Sequence, residues 1–112
     1  MEDLQKTKEY DLEGDAKGKI SLHYKKLENI MFVAIPKFSW KYGSKGFVAI
    51  NIDESFKPKL SMPSIAAIEA NNASFACIVD FDKDGKLNFK LFNKFDKGTK
   101  LHFTGLMYNY FI

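Results

Sequence analysis

Between Ser74 and Phe92 two alternating apolar runs are joined by Asp82-Lys83-Asp84-Gly85. Phe75, Cys77, Val79 and Phe81 recur at a period of two, as do Leu87, Phe89 and Leu91, so each run can line one face of a sheet. Asp84-Gly85 is a strong hairpin signal, because Gly adopts a positive φ without a Cβ clash and Asp tolerates one by bonding to its own backbone. The pattern predicts a β-hairpin around which the remaining strands are arranged.

The same period recurs along the chain. Ile20, Leu22 and Tyr24 alternate with Ser21, His23 and Lys25 in a half-buried strand. Ile30 to Ile35 is a continuous apolar run stopped by Pro36, which suits a short strand covered on both faces. Phe38, Trp40 and Tyr42 alternate with Ser39 and Lys41 before the turn Gly43-Ser44-Lys45-Gly46, and Phe47 to Ile52 forms another strand. Phe56 to Pro63 reads as a loop, because its two prolines, Pro58 and Pro63, lack the N–H groups a central strand needs. Ser64 to Ala70 is ambiguous: its Ala content suits a helix, while its length and the Asn71-Asn72 turn behind it favour a strand. Lys100 to Ile112 alternates through Leu101 and Phe103 to an aromatic end at Tyr108, Tyr110 and Phe111. Residues 1–16 are polar apart from Leu4, Tyr10 and Leu12, and read as an N-terminal arm in which one or two helical turns can form around Glu2 to Glu9. The expectation is an arm over 1–16 and, over 17–112, an all-β domain. Its seven to eight strands would form an antiparallel β-sandwich or small barrel of jelly-roll or Greek-key type.

Composition narrows the function. A chain of 112 residues is one domain, able to bury roughly two-thirds of its unfolded surface. No apolar run approaches the length of about 18 residues that a membrane span needs, and the N-terminus carries no signal-peptide pattern, so no membrane insertion is expected. The net charge is +3 and all seventeen basic residues are Lys. Without Arg the bidentate fork that reads guanine or phosphate is missing, which argues against nucleic acid as a partner. A lone Cys77 can make neither an intrachain disulfide nor a cysteine-only metal site, and reads as a small buried hydrophobe.

Candidate chemistry is sparse. Asp80, Asp82, Asp84 and Gly85 imitate the opening of a calcium loop, but Leu91 stands where the bidentate Glu belongs, and the flanks are strands. His23 and His102 fall on the polar phases of separate strands, so each reads as a surface or cross-strand residue. No nucleophile elbow or phosphate loop is present, and the expectation is a non-enzymatic protein with no cofactor and no metal. The Asn72 sequon carries weight only in a secreted eukaryotic protein. Phe38, Trp40 and Tyr42 are either core aromatics or a platform on which a sugar ring or another subunit could stack. The residues best suited to a ligand are Trp40 and Tyr42 for ring stacking, with Asn71 and Asn72 for hydroxyls.

From Val48 to Tyr110 the order of features resembles the head domains of phage tail and baseplate receptor-binding proteins. The resemblance runs through Ile50-Asn51-Ile52, Phe56-Lys57-Pro58, Phe75 to Phe81, Asp84-Gly85, Leu87 to Leu91 and Phe103 to Tyr110. Asp53 stands where that pattern has its first Pro, Ser55 replaces its Gly, and no shaft of heptads or Gly-x-y triplets precedes it. The resemblance implies a homotrimeric host-recognition module on the virion. It would bind a bacterial cell-wall saccharide or contact a baseplate protein, with the arm packed on a neighbour. A different class of function is also open: a soluble cytoplasmic protein-interaction or inhibitor domain acting through an exposed edge strand or aromatic patch. A small barrel around an apolar ligand is a third reading.

Overall fold

The computed structural model describes residues 4–111, and among these eleven strands form two antiparallel sheets. The strands are β1 (Leu4–Asp11), β2 (Glu13–Gly14), β3 (Lys19–Leu27), β4 (Ile30–Ile35), β5 (Phe38–Lys41), β6 (Phe47–Asn51), β7 (Met62–Ala70), β8 (Ala73–Phe81), β9 (Lys86–Leu91), β10 (Lys100–Phe103) and β11 (Leu106–Phe111). One sheet has four strands in the order β1-β3-β4-β11, and the other has seven in the order β2-β6-β9-β8-β7-β10-β5. The all-β antiparallel class is therefore as expected, with more strands than the seven or eight foreseen.

The extra strands have identifiable causes. Among the described residues the arm is not helical: Leu4–Asp11 pairs along its whole length with β3, from Leu4 opposite Lys26 to Asp11 opposite Lys19, while Glu2 and Asp3, where the expected helical turns begin, lie outside the described residues. A short polar segment lacks the length to hold a helix by itself, and an open sheet edge supplies its backbone partners. Tyr10 then turns inward and shares a 2.9 Å hydroxyl–hydroxyl hydrogen bond with Tyr24. The C-terminal stretch divides at Thr104-Gly105, where Gly105 at φ 97 carries the chain from the seven-stranded sheet to the four-stranded one. Ser64–Ala70 falls inside β7, so the strand alternative holds. The loop expected over Phe56–Pro63 is shorter than that, since Met62 and Pro63 already pair with β8 as the start of β7; the β7–β10 ladder lies further on, at Ile68 and Glu69, so the missing N–H of Pro63 costs no bond in that ladder.

The central hairpin forms as predicted, with a longer loop. Asp82 N–H donates to Lys86 O and Gly85 N–H to Asp82 O, which leaves a three-residue loop with Gly85 at φ 90. The Asp82 side chain accepts from the N–H groups of Asp84 and Lys86 at 3.0 and 2.9 Å, so it serves as a turn cap.

The seven-stranded sheet is curled. Its β5 and β6 lie near opposite edges in strand order, yet only residues 42–46 join them. Asp15 fixes this closure by accepting hydrogen bonds from the N–H groups of Gly43, Lys45 and Gly46 at 3.0, 3.0 and 2.8 Å. Inside the curl Phe38 meets Phe89 at 5.3 Å and Phe103 at 5.4 Å between ring centroids. The four-stranded sheet packs on the same core: Phe81 contacts Tyr108 and Tyr110, and Tyr24 stacks on Phe56 at 4.2 Å. The Tyr108 and Tyr110 hydroxyls donate to the carbonyls of Val79 and Phe56, so both rings can be buried without stranding a polar tip.

Candidate functional site

Alternation leaves each sheet with an outer face, and the polar phases of β5, β10 and β7 meet on one of them. Ser39 lies opposite His102, His102 opposite Glu69, and Glu69 opposite Ser74, which makes one polar row across four strands. Ser39 Oγ and His102 Nδ1 share a 2.8 Å hydrogen bond. Two shallow clefts of about 510 and 340 Å³ flank this row and have Glu69 and His102 in common. The first also takes in Lys37, Phe38 and Thr104, and the second Asn71, Asn72 and Lys100. Together they present hydroxyl, imidazole, carboxylate, amide and ammonium groups beside a half-buried ring. Such a set can donate to and accept from the hydroxyls of a polar ligand.

The four ligand residues expected from sequence do not come together. Asn71 and Asn72 form the β7–β8 turn with φ of 50 and 61, conformations that Asn tolerates, and their exposed side chains line the second cleft. Trp40 is 6% exposed, so its ring belongs to the core and offers no stacking face to solvent. It stacks on Phe38 at 5.1 Å, and its indole N–H finds no acceptor among the described residues. Tyr42 is half-buried on the inner side, edge-on to Phe95, which is in turn edge-on to Phe75. The platform reading of Phe38, Trp40 and Tyr42 thus gives way to the core reading, because the curl of the sheet closes over that face. Ser39, Glu69, Lys100 and His102 were missed. Their polar phase was visible, but Ser39 and His102 are brought together across 63 positions of chain.

A larger groove, about 710 Å³, crosses the outer face of the four-stranded sheet. Here Thr7, His23, Ala34 and Met107 stand in one row, with Thr7 Oγ1 bonded to His23 Nδ1 at 2.9 Å. Phe32 and Ala34 are only half-covered, so β4 is not buried on both faces as its apolar run suggested. Phe32, Ala34 and Met107 give the groove an apolar side better matched to an apolar partner than to a sugar.

The remaining reactive groups are quiet. Cys77 is fully buried, and burial pushes its thiol up to about 11, which suppresses the thiolate. Among the described residues no group of three His, Cys, Asp or Glu side chains could hold a metal ion.

No protein-family model matches the sequence. No curated protein matches it either. The fold defines a class, that of small antiparallel β domains in which a curled sheet is covered by a second one, and solved structures resemble it. One is a reovirus attachment protein, sigma1, solved in complex with alpha-2,3-sialyllactose, which is similar with a TM-score of 0.60 and 11% identity over 98% of this chain. This chain spans 65% of that one. At such identity the likeness concerns the fold.

Proposed function

We propose that this chain is a non-enzymatic viral receptor-binding module that recognises a cell-surface saccharide. In its finer form the reading assigns it to a phage tail or baseplate, on the virion, as a homotrimer that binds a bacterial cell-wall saccharide or seats on a baseplate protein. The observation that carries it is the likeness of the fold, over 98% of the chain, to a viral attachment protein whose solved complex contains a sialylated sugar. The polar clefts along Ser39, His102 and Glu69 support it by offering hydroxyl-binding groups on an exposed sheet face. A binding role, as opposed to catalysis, draws support from the same row. Ser39 Oγ and His102 Nδ1 bond to each other, but among the described residues Glu69 makes no hydrogen bond to His102, so the pair lacks the carboxylate that would complete a nucleophile–base–carboxylate relay.

Light scattering at low and high protein concentration tests the assembly, with a stable trimer expected; a monomer at every concentration would remove the trimeric head. A second reading, a partner-blocking domain, is favoured by one feature. Strand β11 is an edge strand on which Met107 and Phe111 are 62% and 66% exposed. That protein would be monomeric or dimeric and indifferent to sugars.

A further inference from the structure

The outer face of the β5–β10–β7 junction carries an electrostatic feature that stability alone does not explain. Lys41 and Lys100 are directly opposite one another across the β5–β10 ladder. Among the strand registers of the described residues this is the one pairing of like charges, whereas Asp11 opposite Lys19 is a pairing of unlike ones. Residues directly opposite in such a ladder hold their Cβ atoms about 5 Å apart, and like charges there are destabilising. Both side chains are exposed, and neither forms an ion pair with any described residue. Lys37, which lines the first cleft, also lacks one. Elsewhere Lys8, Lys19, Lys86 and Lys90 all stand beside carboxylates. Around the two clefts three lysines therefore face a single carboxylate, Glu69.

We infer that the cleft takes an acidic saccharide, with its carboxylate or phosphate seated between Lys41 and Lys100 and its hydroxyls turned toward Ser39, His102 and Glu69. The inference rests on the saccharide reading and narrows it to a chemical class. An anion at that place relieves the repulsion between the two ammonium groups. Asn71 and Asn72, at the same end of the sheet as Lys100, add amide donors and acceptors to its rim. Glu69 favours orientation: the acid end of the ligand is repelled toward the lysines while the carboxylate accepts from sugar hydroxyls.

The test is a titration followed by backbone amide NMR, using matched pairs: alpha-2,3-sialyllactose against lactose, and N-acetylglucosamine 1-phosphate against N-acetylglucosamine, with inorganic phosphate as a control. Shifts at Lys41, Lys100 and Asn71 are expected with the acidic member of at least one pair and not with its neutral partner. Which pair responds separates a carboxylate from a phosphate ligand. Lys41→Gln and Lys100→Gln should each weaken that binding by about tenfold, the value of one charge-assisted hydrogen bond. Thermal denaturation keeps folding and binding apart, because both variants should melt no lower than the wild type and Lys41→Gln slightly higher. Equal response to neutral and acidic sugars, or acidic binding that survives both substitutions, would overturn the inference and leave the saccharide reading in place. Response to inorganic phosphate alone, or to none of the probes, would overturn both.

Discussion

At the scale of single residues the core is built from aromatic rings whose polar tips decide their environment. Trp40 illustrates the cost, since a buried N–H without an acceptor forfeits roughly 1–3 kcal/mol. Trp40→Phe should therefore fall within about 1 kcal/mol of the wild type in urea denaturation, because the lost ring area is offset by removal of the unpartnered donor. Trp40→Ala, which leaves a cavity, should cost about 3–5 kcal/mol. Equal losses for the two variants would show that the indole N–H is satisfied after all. The tyrosines carry a pH dependence. Burial raises Tyr10, Tyr24, Tyr108 and Tyr110 above their ordinary value of 10.0. Their neutral forms stabilise the fold fully below that value. As pH rises past 10.0 the unfolded chain loses protons first, so stability falls. Tyrosinate absorbance from these four should appear together with the loss of circular dichroism, and ionisation well before unfolding would contradict the burial. The sequence made the aromatic content plain but not which face of Phe38-Ser39-Trp40 was dry, because that depends on a curl produced by distant strands.

At the scale of elements, local pattern and turn chemistry were legible and pairing was not. The Ser74–Phe92 hairpin and the strand at 20–24 lie where alternation put them, the apolar run 30–35 is a strand as read, and the strand expected over 47–52 ends at Asn51. The arm's strand was not legible because, between Gln5 and Asp11, Tyr10 is the buried side chain and one such residue gives no period; its geometry comes from the edge of β3. The Asp15 clamp was invisible for a related reason: a carboxylate in a polar stretch gives no hint that it will meet residues 43–46. Asp15→Ala should strand three part-buried or exposed N–H groups and cost roughly 2–3 kcal/mol. Hydrogen exchange at Gly43, Lys45 and Gly46 should accelerate in the variant. A related check uses Gly43, where an added Cβ would come within 2.6 Å of Asp15 Oδ1. Gly43→Ala should loosen the same loop, and unchanged exchange in both variants would remove Asp15 as the element that closes the curl.

At the scale of the whole molecule, two outer faces differ in character, and the proposed function rests on them. The β11 side, with Met107, Phe111 and the exposed Leu60, is apolar and suits contact between subunits. Met107→Lys together with Phe111→Lys separates the two readings in light scattering: under the proposed trimeric head the variant should shift toward monomer, under the partner-blocking reading its mass should not fall below that of the wild type, and the fold should stay intact in both, since both side chains already face solvent. The β5–β10–β7 side is polar and suits a ligand. Of the residues expected at a ligand site, Asn71 and Asn72 lie in the turn beside the second cleft, whereas Trp40 is buried and Tyr42 half-buried against Phe95. Ser39, His102 and Glu69 became a site only when β5 and β7 flanked β10, a non-local arrangement with no counterpart in spacing along the chain. The most direct test of saccharide recognition is a glycan array probed with the wild type and with His102→Ala, whose side chain lies on the exposed face and outside the core. The wild type should bind a restricted set of glycans, and the variant should lose that binding. Absence of any bound glycan, or binding untouched by the substitution, would contradict it.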